Sequence, residues 1–225
     1  MIFEFTDFNN SYQYFSTHGK KEWDDISNII SNMPLFLQPS QQAGIVGEAI
    51  FDPKATNDYL TTNTHQRGWR TINVPPQLQM FGKHWDGGNN GTLAEWQFSN
   101  YPFLWNNIIR TEAVIYSNTN LNNSVIPKAL IIVTKSGMIP SSNSTLYYEQ
   151  ALAQISSVTN LNVFKLPIRL IGLVIPTTLN EIDAVWTEYP SRYCREGRPI
   201  TSKFHINRGR SSFYGHSSIK FVLPR

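Results

Sequence analysis

A chain of 225 residues and 25.7 kDa, 40% hydrophobic and 16% charged, has the composition of a folded globular protein, which excludes a disordered or fibrous class. No apolar run approaches a bilayer span, and one cysteine, Cys194, excludes an intrachain disulfide and a Cys-rich zinc site; a protein of the cytoplasm with no membrane partner is expected. The net charge of +3 is unevenly spread: residues 190–225 hold eight Lys or Arg against Glu196 alone, a local +7, and the remaining residues sum to −4. A polyanion partner fits that asymmetry, with the basic end on phosphates and the acidic part holding a metal, although a solvated basic tail fits the charge alone equally well.

Residues 20–33 place Trp23, Ile26, Ile30 and Met33 at helical spacing, and Ser40 suits the cap of a second helix carrying Ala43, Val46, Ala49 and Ile50. Pro75 and Pro76 interrupt the next stretch, after which residues 78–85 and 92–98 read as a hairpin bracketing the glycines of 87–91. Pro102 suits a helix start, and residues 103–117 stack Leu104, Ile108 and Ile115 near one face. An Asn-rich loop at 119–124 precedes a continuous apolar run at 128–134, which reads as a buried strand, as does 168–175; residues 144–158 between them look helical. Strand, helix and strand with both strands buried imply a parallel crossover in an α/β sheet covered on both faces. Residues 190–225, rich in Gly, Ser, Arg and aromatics, are expected as loops and short strands in a basic C-terminal extension, the core being residues 1–189.

The chemistry concentrates on Asp86, Glu95 and Gln97. Side chains alternate along a strand, so Glu95 and Gln97 share one face while Ala94, Trp96 and Phe98 take the other. A closed hairpin would bring Asp86 beside Glu95, and two carboxylates a few ångströms apart suit a hard divalent cation. In phosphodiester hydrolysis Asp86, Glu95 and the backbone carbonyl of Trp96 would ligate that ion, and Gln97 would orient the attacking water. Taken alone, the bare pattern is weak and favours a solvated hairpin with polar residues on its exposed face. It also leaves room for a DNA-binding protein without catalysis, and for a glycosidase with Asp86 and Glu95 as its two carboxylates.

The residues around the pattern are more specific. Glu95-Trp96-Gln97-Phe98-Ser99-Asn100-Tyr101-Pro102-Phe103-Leu104 closely resembles the active-site strand and following helix of the BglII family of type II restriction endonucleases, the BglII/BstYI group. The resemblance continues, in matching order, in Asn32-Met33-Pro34-Leu35, Ile50-Phe51-Asp52-Pro53, Ser142-Asn143-Ser144-Thr145-Leu146-Tyr147-Tyr148-Glu149-Gln150-Ala151, Asn162-Val163-Phe164 and Pro167-Ile168-Arg169-Leu170. It spans most of residues 32–193.

The resemblance implies a restriction-endonuclease-like α/β fold, a mixed central sheet flanked by helices, with a basic β/loop subdomain at the C-terminus. It implies that Asp86, Glu95 and Gln97 are the catalytic set, with Gln replacing the Lys of the PD-(D/E)xK pattern, and that Asn73, matched across a one-residue gap, joins them. Ser99 and Asn100, then Asn143 and Ser144, match base-reading residues, although Ser99 or Asn143 could instead cap the helix that follows. Tyr193, preceded by Arg192, matches a DNA-contacting tyrosine. Beyond Tyr193 little aligns, and Arg195, Arg198, Lys203, Arg208 and Arg210 are expected phosphate contacts on charge alone. The implied activity is Mg²⁺-dependent cleavage of double-stranded DNA at a palindrome, a six-base site with a GATC core, leaving 5′-phosphate ends. The implied partners are a second copy of the chain, with residues 103–117 one candidate interface, and a cognate DNA methyltransferase.

Overall fold

The computed structural model describes residues 1–121, 126–143, 145–191, 194–213 and 216–223, with the backbone alone at 210–213, 216 and 217. Its centre is a six-stranded mixed sheet in the order β1 (Ile2–Phe8), β8 (Ile168–Val174), β7 (Ala129–Lys135), β6 (Thr92–Trp96), β5 (His84–Asn89) and β4 (Arg70–Asn73). Strands β6, β7 and β8 run parallel, and β1, β5 and β4 pair antiparallel to their neighbours. All seven residues of β7 are buried, as a central strand covered on both faces requires.

The crossovers from β6 to β7 and from β7 to β8 are α4 (Pro102–Tyr116) and α5 (Tyr148–Thr159). Both cover one face: Leu104, Ile108 and Val114 of α4 and Ala151 and Ile155 of α5 pack with Leu93, Leu130, Ile132 and Leu170 of the strands. The opposite face sets Ala94, Trp96, Ile131 and Val133 against α2 (Lys20–Ser31) and Leu60 of α3 (Pro53–Gln66). The short α1 (Ser11–Ser16) links β1 to α2, and β1 is tied to β8 by a buried ion pair. Arg169 donates Nε and Nη2 to the two oxygens of Asp7, each at 2.8 Å, with its guanidinium enclosed by Phe5, Phe15 and Trp23.

Three expectations need correction. Residues 40–48 form a loop closed by the Gly47 N–H to Ser40 carbonyl bond at 2.8 Å, and 49–51 are strand β3 (Ala49–Phe51); Gly44 and Gly47 sit at φ +88° and +81°, which a helix does not allow. The helix of that region is α3, which lacks a wide apolar stripe but carries a start signal: Asp52 accepts the N–H groups of Lys54 and Ala55, and Pro53 takes the first helical position. Residues 76–81 are a 3-10 turn and not a strand, started by Pro76 and ended at Gly82 with φ +127°. The C-terminal segment forms long strands, β10 (Arg198–Phe213) and β11 (His216–Val222), and not short ones among loops.

These strands close a barrel in the order β10, β11, β3, β2 (Leu35–Pro39) and β9 (Glu181–Glu188). Three of its five strands precede residue 190, and β10 lies along β9 in continuous register from Arg198 opposite Glu188 to His205 opposite Glu181. The β-subdomain is assembled from both ends of the chain. Replacing Asp7 with Ala leaves the buried Arg169 charge unpaired and is expected to lower stability by about 3 kcal/mol in urea unfolding. A loss under about 0.5 kcal/mol would show that the pair does not hold β1 to the sheet.

Candidate active site

The hairpin of β5 and β6 turns on Asn90 and Gly91, both at positive φ (43° and 88°), the turn whose twist matches the strands it joins. Its register sets Asn89 opposite Thr92, Gly88 opposite Leu93 and Gly87 opposite Ala94, and Asp86 and Glu95 are the next residues along the two strands, close enough for their charges to interact. Gly87 and Gly88 are therefore strand residues. A Cβ at Gly88 would run into Ile72, and one at Gly87 would press on Trp69 at 3.2 Å, so β4 can lie close only because both are glycine.

The two carboxylates face α4. Glu95, 7% exposed, pairs with the guanidinium of Arg110, itself 2% exposed. Arg110 also donates Nη2 to the His84 carbonyl at 3.0 Å and Nη1 to the Phe81 carbonyl at 3.2 Å, and it lies over the Trp85 ring. Asp86 accepts the Trp96 N–H at 2.8 Å through Oδ2. Asp86 Oδ1 and Glu95 Oε2 carry no hydrogen bond among the described residues. Burial raises both carboxyls, Glu95 to about 8, where Asp86 adds repulsion and Arg110 opposes the rise; for Asp86 the Trp96 N–H, His84 and Arg110 oppose it.

Gln97 lies just past β6, 3% exposed, and its backbone N–H continues the pairing to the Val133 carbonyl at 2.8 Å. Its side chain is committed: Oε1 accepts Asn107 Nδ2 at 2.8 Å, and Nε2 donates to Ser99 Oγ at 3.1 Å and to the Asn100 carbonyl at 3.3 Å. Glu95 and Gln97, two apart on a strand, thus meet Arg110 and Asn107, three apart on a helix, and the two spacings match. The Trp96 carbonyl accepts the Phe98 N–H at 3.2 Å, and its second lone pair is free for a ligand. Asn73 is exposed and stands opposite His84, at the end of the sheet where Asp86 lies.

Among the described residues no cluster of three or more His, Cys, Asp or Glu could hold a metal. Two carboxylates with a carbonyl beside them suit Mg²⁺, which keeps several waters and takes phosphate oxygens as further ligands. The raised carboxyl groups fit the same ion: two buried anions share one guanidinium, and a cation relieves the remaining cost.

The two segments that the resemblance assigns to base reading come together. Ser99 and Asn100 are exposed at the end of β6, Asn100 bridges to Thr145, and Leu146 N–H donates to the Ser99 carbonyl at 3.0 Å. Asn143 is exposed, and its N–H donates to Gln42 Oε1 at 3.1 Å. A groove of about 500 Å³ beside it is lined by Gln38, Ser40, Gln42, Lys54 and Tyr189. Ser144, Arg192 and Tyr193 lie outside the described residues, as does the side chain of Arg210.

The basic residues are not gathered into one patch. Arg195 and Arg198 are exposed, Arg198 opposite Glu188; Lys203 is opposite Asp183 with Nζ 3.8 Å from Glu181. Arg208 donates Nη2 to the carbonyls of Pro176 and Leu179, which fixes the loop before β9. Arg110 and Asn107 escape a reading by hydrophobic pattern. Their signal is present nonetheless, because both fall within the apolar stripe of Leu104 and Ile108, where a polar residue has to find a buried partner.

A mixed sheet with a carboxylate on each strand of the β5–β6 hairpin, beside an exposed polar segment at the strand end, fits the restriction-endonuclease-like fold that the sequence resemblance implies. Residues 3–173 match the family model "Restriction endonuclease BglII/BglIII". The chain is 40% identical over 204 residues to the type II restriction enzyme BglII of Bacillus subtilis, covering 90% of this chain and 88% of that protein. It superposes on the crystal structure of BglII complexed with a DNA 16-mer with a TM-score of 0.89 at 36% identity, and on free BglII with 0.73 at 32%; each match covers 98% of this chain and 100% of the other. The chain belongs to the BglII/BglIII family of restriction endonucleases, within the type II class.

A divalent cation binds these carboxylates in their ionised form. Because the folded value of Glu95 lies above its ordinary 4.5, its ionisation works against the fold as pH rises toward 8, and a cation binds in competition with the proton. Mg²⁺ affinity of the DNA-bound protein, by calorimetry, is expected to rise about tenfold per pH unit below pH 8 and to level off above it. A flat profile from pH 6 to 9 would contradict this ionisation order.

Proposed function

We propose that this chain is a Mg²⁺-dependent endonuclease that cuts double-stranded DNA at a palindromic site, leaving 5′-phosphate and 3′-hydroxyl ends, with Asp86, Glu95, Gln97 and Asn73 as its catalytic residues. The observation that carries the reading is the placement of Asp86 and Glu95 one step past the Gly87–Ala94 pair of the hairpin, with the strand of Glu95 leading directly into Ser99 and Asn100. When bound, the ion would lower the pKa of a water and stabilise charge on the phosphate. Asp86, Glu95 and the Trp96 carbonyl would hold it. Asn73, at the same end of the sheet, would reach the phosphate or its water by hydrogen bonding. Gln97 joins Asn107 to Ser99 and Asn100, so its work is to hold the reading segment at a set distance from Glu95.

Ser99, Asn100, Asn143 and Ser144 are assigned to base edges in the major groove, and Arg192, Tyr193, Arg195, Arg198, Lys203 and Arg210 to the DNA backbone. Arg208 belongs with the fold. The short polar side chains of the reading segments suit a six-base site with a GATC core. Two copies of the chain suit a palindrome, each cutting one strand. Ile109 and Tyr116, seven apart on α4 and 47% and 87% exposed, support that helix as an interface. A cell containing such an enzyme needs a methyltransferase for the same site. Among the described residues no helix is long and apolar enough to cross a membrane, and a cytoplasmic location suits an enzyme whose substrate is DNA.

Purified protein with Mg²⁺ is expected to give discrete fragments from plasmid DNA with mappable ends. Glu95→Ala is expected to reduce cutting on the order of 10³-fold or more while DNA binding persists, since the several kilocalories supplied by a held ion are lost. Random degradation, or undiminished cutting by that variant, would overturn the reading.

A further inference from the structure

β7 ends on a lysine that the chemistry at Glu95 does not use. Lys135 is 0% exposed and donates Nζ to the Ile139 carbonyl at 3.0 Å and the Ser136 carbonyl at 3.4 Å, with the Tyr147 ring 5.4 Å away. Opposite it, Glu149 in the first turn of α5 takes Ser136 Oγ on Oε1 at 2.5 Å and the Gly137 N–H on Oε2 at 2.9 Å. Ser136 Oγ in turn accepts the Met138 N–H at 3.2 Å. The turn at 136–139 is therefore gripped from one side by a buried ammonium and from the other by a carboxylate. Burial works against the ammonium and Glu149 favours it.

A buried charge of each sign is costly unless every partner is in place, and the arrangement tolerates little displacement. The turn leads within a few residues to the reading segment. Asn143 follows it, Thr145 Oγ1 donates to the Ser142 carbonyl at 2.8 Å, Thr145 bridges to Asn100, and Leu146 N–H reaches the Ser99 carbonyl. Both reading segments thus hang as one unit between two fixed points: Gln97 with Asn107 on one side, and Lys135, Ser136 and Glu149 on the other.

We propose that Lys135, Ser136 and Glu149 form a buried clamp that determines sequence specificity without touching DNA, by setting the position of Asn143 and Thr145 and, through the Asn100 to Thr145 bridge, of Ser99 and Asn100. The inference rests on the nuclease reading above. The three are positioning residues: the metal site is carried by β5 and β6, and the reading unit continues from it along the backbone past Gln97.

The test uses full-length protein carrying Glu149→Gln, Lys135→Met or Ser136→Ala, with two readouts. Amide exchange in residues 136–146 and 97–101 is expected to quicken in each variant that keeps the wild-type circular dichroism. The ratio of cleavage at the cognate site to cleavage at sites altered by one base pair is expected to fall about tenfold, the scale of one lost base contact. A general loss of folded protein lowers both rates together and leaves that ratio unchanged. If Lys135→Met does not fold, Glu149→Gln and Ser136→Ala carry the test. Unchanged discrimination in folded variants overturns the clamp and leaves the nuclease reading standing; wild-type protein that cuts no DNA overturns both.

Discussion

The guanidinium of Arg110 is the group on which the rest of the site depends. Two buried carboxylates on paired strands would repel each other and pull the hairpin open. A single buried cation from α4 sits against Glu95 and takes the carbonyls of Phe81 and His84, so the helix, the hairpin and the 3-10 turn before it are held at one point. That geometry constrains its neighbours. Gly82 must be glycine, because a Cβ there would collide with Arg110 Nη1, and its φ of +127° suits no other residue well. Trp85 closes the other side with its ring, and its own Nε1 is satisfied by Thr111 Oγ1 at 2.9 Å.

The same helix performs a second task one turn earlier. Asn107 fixes Gln97, and Gln97 fixes the segment that carries Ser99 and Asn100. Glutamine at this position suits the arrangement better than lysine would: an amide can accept from Asn107 and donate to two oxygens at once, which an ammonium cannot do. The strand that holds the carboxylates and the exposed polar segment beyond it are one continuous piece of backbone, anchored to α4 at two points. On the proposed reading, cutting and base recognition are mechanically joined there.

Legibility in the sequence followed the physics of each element. β7 and β8 are buried on both faces and announce themselves as unbroken apolar runs, and the crossover helix between them follows from their parallel pairing. The face shared by Glu95 and Gln97 follows from strand alternation alone. The barrel was illegible for a different reason: its pairings join residues 35–51 to 181–222, and nothing local specifies contacts across that distance. Its charge was misleading too, since the basic β10 lies beside Glu181, Asp183 and Glu188 of β9 and part of its excess is answered within the fold. Arg110 stayed hidden because a buried arginine looks like any other helix residue until its carboxylate partner is placed opposite it.

The central claim is that Asp86 and Glu95 jointly hold a divalent cation beside the DNA backbone. Anomalous diffraction from the protein crystallised with a DNA duplex and Mn²⁺ tests it most directly. The account predicts a peak within coordination distance of both carboxylates and of a phosphate oxygen. A bound duplex with no peak there, or with the ion held elsewhere on the chain, would contradict it.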